Sequence, residues 1–299
     1  MSEKYSPNYE DDNFRAGTNE KPIKREDEAS ESLDIYGTRH SLQTNRRIGE
    51  NSVEGYSELS EKGVELAKKR ASEILETLVQ SEEGSVLAFI GASEAERTKS
   101  TIKVYGDEIS RIIDDNKVPN VEVIDSRSFD EQAGVTENIE RIAKEINSQA
   151  KKKFLIACPL SIKELGLQNR WQNKDGSWSS EYAEKLFTEN NFDNQEILRE
   201  WLADQGEIGD LKGPNPKELA EEELEGLKRI NGFITKFLQN RPVTIGFVGH
   251  TPNIEALAIY LANNGIVDLE GFEKIGGKSF AEADVMQLKE DKIILPKAE

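Results

Sequence analysis

Two histidines and a single cysteine, Cys158, are all that 299 residues offer in the way of imidazole and thiol. One cysteine cannot close an internal disulfide, and its isolation suits a reducing compartment, so a cytoplasmic location is expected. A metal site built on nitrogen and sulfur is not expected either, no run of acids has the spacing of a calcium loop, and no cofactor is called for. No apolar run approaches the ~20 residues of a membrane span, and the opening Met1-Ser2-Glu3-Lys4-Tyr5 lacks the apolar core of a secretion signal. Basic residues are outnumbered 39 to 57, leaving a net charge of -18. A general binder of nucleic acid would show a basic face, so neither nucleic acid nor a membrane is an expected partner. The same charge repels anions at long range, and any anion site must be a local cluster of cations in a negative field.

What is present is an alternation of strand-like and helix-like segments. Residues 1–31 are acidic and almost free of aliphatic side chains, the composition of a disordered tail, and 32–299 are read as one domain. A short strand over 33–36 leads into a loop holding Arg39, His40, Asn45, Arg46 and Arg47. A helix capped by Ser57 then keeps a 3.6-residue period through Leu59, Leu66, Ala71, Ile74 and Leu78. Strands are expected at 85–90, 121–124, 154–158 (closed by Pro159) and 243–248, and helices at 95–115, 136–150, 217–239 and 253–263. A terminal hairpin turns at Glu290-Asp291. Residues 161–216, with Trp171, Trp178, a helix over 194–203 containing Trp201, and repeated Gly and Pro, read as a partly helical insertion, either a lid or a structural cap. The pattern predicts a three-layer α/β/α sandwich around a mainly parallel sheet.

Three of the apolar runs end alike. Ile35-Tyr36-Gly37-Thr38 runs into Arg39-His40, Val243 to Gly249 runs into His250, and Val86 to Ile90 leads through Gly91-Ala92-Ser93 to Arg97. In an open α/β sheet, ligands lie beyond the carboxyl ends of the strands, where helix amino ends favour anions. If the three runs are neighbouring strands, both histidines of the chain and two arginines meet there. Arginine grips phosphate with a planar fork, a neutral imidazole can attack phosphorus, and a second histidine can stabilise the equatorial oxygens. A carboxylic acid must protonate the leaving oxygen. Neither a Gly-x-Gly-x-x-Gly nor a P-loop pattern follows any strand, which removes the common nucleotide-binding readings.

Four segments, in order, resemble the motifs of the histidine phosphatase superfamily, the phosphoglycerate mutase-like fold. They are Arg39-His40-Ser41, with serine where that family usually has glycine; Leu59-Ser60-Glu61-Lys62-Gly63-Val64-Glu65-Leu66-Ala67; Ser93 to Thr101 around Arg97; and Gly249-His250-Thr251. The resemblance implies a phosphatase that is metal-independent and passes through a phosphohistidine on His40. Arg39, Arg97, His250 and Asn45 would hold the phosphoryl group of a small phosphorylated substrate or, less in keeping, of a phosphoprotein. Thr251 stands where one branch of that family has its acid. The other branch takes the acid from a mid-chain segment, and Asp125-Ser126-Arg127-Ser128-Phe129-Asp130 aligns with it. Asp130 is then the implied proton donor, with Glu131 next. No Glu-Arg-His-Tyr-Gly mutase signature is present, which favours transfer to water.

Overall fold

Alternation along the apolar runs decides the architecture. In the computed structural model, which describes residues 33–44, 49–130, 132–168, 170–238, 241–290 and 292–295, the second strand, β2 (Val86–Ala92), is buried along its whole length. Val86, Ala88 and Ile90 point into one core, while Leu87 and Phe89 point into another. A strand covered on both faces is the signature of a sheet sandwiched between helices.

Among the described residues the sheet has seven strands. From one edge they are β3 (Val121–Asp125), β4 (Lys153–Ser161), β2, β7 (Val243–Gly249), β1 (Asp34–Arg39), β8 (Val285–Lys289) and β9 (Lys292–Ile294). The first five run parallel, and the terminal hairpin adds two antiparallel strands against β1. On one face α1 (Glu61–Gln80) and α2 (Glu96–Asn116) cover Tyr36, Leu87, Phe89 and Leu155. On the other, α3 (Val135–Ser148), α6 (Pro216–Phe237) and α7 (Asn253–Ala262) cover Ile35, Val86, Phe154 and Phe247. The expected α/β/α sandwich with a mainly parallel sheet is therefore what the chain forms. Among the described residues the remaining α-helices are α4 (Glu181–Glu189), α5 (Asn194–Asp204) and α8 (Leu269–Lys274), and β5 (Glu207–Ile208) pairs with β6 (Leu211–Lys212) in a small ribbon.

Three local expectations need correction. The first strand does not stop at Tyr36: β1 runs from Asp34 to Arg39, so Arg39 is the last strand residue rather than part of the loop. Ser60, not Ser57, caps α1: its side chain accepts the Gly63 amide, while Glu58 takes a left-handed φ of 64° that keeps the preceding turn out of the helix. Pro159 does not close β4, which runs on to Ser161. The proline falls where the β2–β4 register shifts between Phe89 and Gly91, an irregularity that asks for no amide from it. The expected tail over 1–31, together with Asn45, Arg46, Arg47, Glu131 and Asp291, lies outside the described residues.

The segment after Ser161 is packed into the molecule by its aromatic residues. Trp171 and Trp201 are fully buried and meet edge to face at 5.2 Å. Trp171 Nε1 donates to Asn253 Oδ1 at 2.8 Å, and the Glu94 carboxylate accepts the amides of Leu167 and Gln168, both at 2.9 Å. The insertion is thus stapled to the first residue of α7 and to the loop that follows β2. No described helix is long and apolar enough to cross a membrane.

Candidate active site

β2, β7 and β1 lie side by side and parallel, so their carboxyl ends emerge together. The register pairs Arg39 with Gly249, and the His40 amide donates to the Gly249 carbonyl at 3.0 Å. His40 and His250 therefore leave adjacent strands at the same level, with ring centroids 4.9 Å apart. Arg97, in the first turn of α2, reaches the same point from β2: its Nη2 is 3.3 Å from His250 Nδ1.

Bonding partners fix the tautomers. The Ser41 carbonyl, 2.7 Å from His40 Nδ1, can only accept, so Nδ1 carries the proton and Nε2 keeps its lone pair. At His250 the guanidinium can only donate, so Nδ1 accepts and Nε2 donates to Ser93 Oγ at 2.6 Å. Ser93 Oγ also accepts the Ala95 amide and passes its own proton to Thr98 Oγ1, 3.1 Å away, which donates to the Ala95 carbonyl. Burial, then the charges of Arg97 and Arg39, push the His40 pKa well below the usual 6.5. Burial and Arg97, followed by His40 and Arg39, do the same to His250. Both rings are neutral near pH 7.

The serine that replaces the expected glycine after His40 is accommodated. Ser41 is fully buried, its hydroxyl donates to the Gly63 carbonyl at 2.6 Å, and its amide donates to Thr101 Oγ1 at 3.1 Å. Thr101 in turn donates to the Arg97 carbonyl. Gly63 is required by the close approach of the same segment, because a Cβ there would stand 2.0 Å from the Leu42 carbonyl oxygen. The start of α1 is in this way a clamp on the residues that follow His40.

Both arginines meet carboxylates. Arg39 donates to the Phe280 carbonyl and to Glu282 Oε1 (3.1 Å), and its Nε is buried without a hydrogen-bond partner among the described residues. Glu58 Oε2 accepts the Arg97 amide at 3.2 Å and faces Nη1 at 3.4 Å. Asp130, by contrast, stands exposed on the loop after β3, where its carboxylate accepts the Gln132 amide and its backbone is bracketed by Asn138. No hydrogen bond or ion pair among the described residues joins it to His40, Arg97 or His250. The pairings of Glu58 and Glu282 carry no signal in the sequence, since neither acid falls in a motif. Thr251, which follows His250, donates to Glu255 Oε1 at 3.0 Å rather than supplying an acid itself.

Two buried carboxyls lie beneath this cluster. Glu255 is held above the usual carboxylate range by burial, opposed by Arg39 and by the Phe280 amide and Thr251 hydroxyl that it accepts. Glu223, on α6 beside Asn253 and Arg170, is pushed by burial up to about 8. A carboxyl whose folded pKa is raised adds stability that is whole below the unfolded value and is lost as pH rises through the folded one. The two histidines act with the opposite sign, losing stability as pH falls below 6.5. Glu223→Gln, which mimics the protonated acid, is expected to raise Tm relative to the parent chain by more at pH 9 than at pH 5. An equal change at both pH values contradicts a buried carboxyl titrating near 8.

No group of three His, Cys, Asp or Glu side chains among the described residues is arranged to hold a metal ion. No protein-family model matches the chain, and no curated protein matches its sequence. Among solved structures it is similar to a mycobacterial glucosyl-3-phosphoglycerate phosphatase, with 14% identity, a TM-score of 0.42, and coverage of 90% of this chain and 100% of that one. It is also similar to a putative alpha-ribazole-5'-P phosphatase of Escherichia coli (13%, 0.40, 88% and 94%) and to YhfR of Bacillus stearothermophilus (12%, 0.40, 88% and 95%). These three are members of the histidine phosphatase superfamily, which the motifs resemble. Likenesses this faint say nothing of what the chain does.

Proposed function

We propose that this protein hydrolyses a phosphomonoester, with His40 as nucleophile and a covalent phosphohistidine as intermediate. The observation that carries the reading is the convergence of both histidines and Arg97 at the ends of three adjacent parallel strands. His40 Nε2 is a free lone pair on a neutral ring held in orientation by the Ser41 carbonyl, the state a nucleophilic imidazole needs. Arg97 and Arg39 supply charge and planar donors for the phosphoryl oxygens. An arriving dianion draws a proton onto His250 Nδ1, turning an acceptor from Arg97 into a donor to phosphate. No step asks for a metal. For the proton donor the motif register offers Asp130 and Glu131. The substrate is a small phosphorylated molecule or a phosphorylated protein side chain, taken up in the cytoplasm.

A second reading is a relative that binds a phosphorylated ligand without turning it over. It is favoured by the exposed position of Asp130, whose carboxylate is engaged by Gln132. The two separate in one assay. Hydrolysis of 4-nitrophenyl phosphate in the presence of a chelator is expected from a phosphatase of this kind. Saturable binding of orthovanadate with no release of nitrophenol supports the binding module instead.

A further inference from the structure

We infer that Glu255 is a positioning residue for Arg39, holding its guanidinium at the angle from which it meets the phosphoryl group. The inference rests on the phosphatase reading above and deepens it, by assigning a buried carboxylate to the support of one of the two arginines.

Arg39 and Glu255 reach the site from different elements. Arg39 is the last residue of β1, paired with Gly249 across the sheet, and Glu255 stands in the first turn of α7, which follows His250. The main chain of Phe280 joins them. Its amide donates to Glu255 Oε1 at 2.8 Å, and its carbonyl accepts from Arg39 Nη1. The same carboxylate oxygen accepts the hydroxyl of Thr251, the residue after His250, at 3.0 Å. One oxygen of Glu255 therefore ties the segment that supports Arg39 to the loop that carries His250.

The other oxygen has no such employment. Glu255 Oε2 is a buried acceptor and Arg39 Nε a buried donor, and neither has a hydrogen-bond partner among the described residues. Buried polar atoms are nearly always paired. Two complementary orphans on side chains that already share Phe280 mark a charge pair that a small movement closes. The charge of Arg39 is also the largest influence opposing burial at the Glu255 carboxyl.

Two carboxylates thus attend Arg39, and they differ in access. Glu282, about a third exposed, meets Nη2 at 3.1 Å, where a phosphoryl oxygen can take its place. Glu255 is sealed from solvent, so its part in turnover runs through the groups it touches rather than through substrate. Once phosphate has displaced Glu282, the buried partner is what keeps the guanidinium fork aimed. A plainer role for Glu255 is that of an acid in the first turn of a helix, where the dipole favours negative charge. An exposed acid serves that purpose as well and needs none of the burial. A second plain role is to hold the Thr251 loop. Both plain roles predict a loss that does not depend on Arg39.

Dependence on Arg39 is what a double-mutant cycle reads. The test measures kcat/KM for 4-nitrophenyl phosphate and Kd for orthovanadate in the parent chain, Glu255→Gln, Arg39→Ala and the double variant, with Glu255→Asp beside them. Glutamine keeps the shape and an oxygen for Phe280 and Thr251 but removes the charge that faces Arg39. In the parent background it is expected to cost on the order of 10-fold in both quantities, below the ~100-fold of a 1 Å misplacement. Beside Arg39→Ala the same change should cost less than ~2-fold, the signature of one residue acting through the other. Glu255→Asp, which keeps the charge, should recover part of the loss. Should the glutamine variant not fold, the cycle is run with Glu255→Asp, whose smaller loss should likewise vanish beside Arg39→Ala. Equal losses in the two backgrounds, or no loss in the parent background, overturn the assignment. In a parent chain that binds orthovanadate without turnover, Kd alone decides by the same criteria. A parent chain that neither hydrolyses the ester nor binds orthovanadate defeats the phosphatase reading and this assignment with it, whereas equal losses in an active chain defeat the assignment alone.

Discussion

His40→Ala removes turnover of an aryl phosphate altogether while leaving the sheet intact. The expected loss in kcat is on the order of 10^4-fold or more, the scale set by deleting a covalent nucleophile. The ring sits just past β1, so its removal leaves the β1–β7 ladder in place, including the bond from its own amide to Gly249. Among the described residues the side chain makes one hydrogen bond, to the Ser41 carbonyl, and truncation trims a ring rather than breaking a network. Phosphate release from 4-nitrophenyl phosphate, with far-UV circular dichroism as the check on folding, reads both halves of the expectation. A folded His40→Ala protein within tenfold of the parent rate contradicts the assignment of His40 as nucleophile.

Arg97→Ala is the second large effect. This side chain spans the site, with Nη2 on His250 and Nη1 toward Glu58, and it contributes to the lowered pKa of both histidines. Its loss removes a cation from the place where phosphoryl charge develops and releases His250 Nδ1 from its donor. The expected cost is ~10^2–10^3-fold in kcat, the range for removing a preorganised donor to a transition-state anion. Affinity for orthovanadate should fall in parallel, since the same fork holds ground-state phosphate. Arg97→Lys restores a charge but not the planar fork and is expected to recover little of the rate. A lysine variant close to the parent enzyme shows that charge alone suffices, against the geometry described here.

The site was legible in the sequence to the extent that it sits at ends of strands. Each apolar run is short and stops abruptly at a cation or an imidazole, and with two histidines in the chain the coincidence was informative. Adjacency of β2, β7 and β1 was a condition the sequence left open, since burial does not set strand order, and the sheet meets it. The start of α1 was harder, because Ser57 and Ser60 both precede an apolar period. The choice is made by the clamp on Leu42, where Ser60 and Gly63 both meet its carbonyl or lie against it. The insertion was the least readable segment. In α4 only Tyr182, Ala183 and Leu186 are buried, too few to set a period, and Trp171 is held by Asn253, 82 residues away. The acids on the two arginines were invisible for the same reason: Glu282 lies 243 residues from Arg39, and Glu58 lies 39 from Arg97 in a turn that no periodicity announces.

The central claim is that three strand ends build one phosphoryl-transfer site around His40. It is tested most directly by mixing the protein with 32P-labelled phenyl phosphate and quenching in alkali within the first turnover, followed by peptide mapping. Label on the peptide that contains His40, stable to alkali, lost in acid and absent from His40→Ala, is the predicted result. Phosphate release with no label on that peptide, or label on another residue, contradicts it.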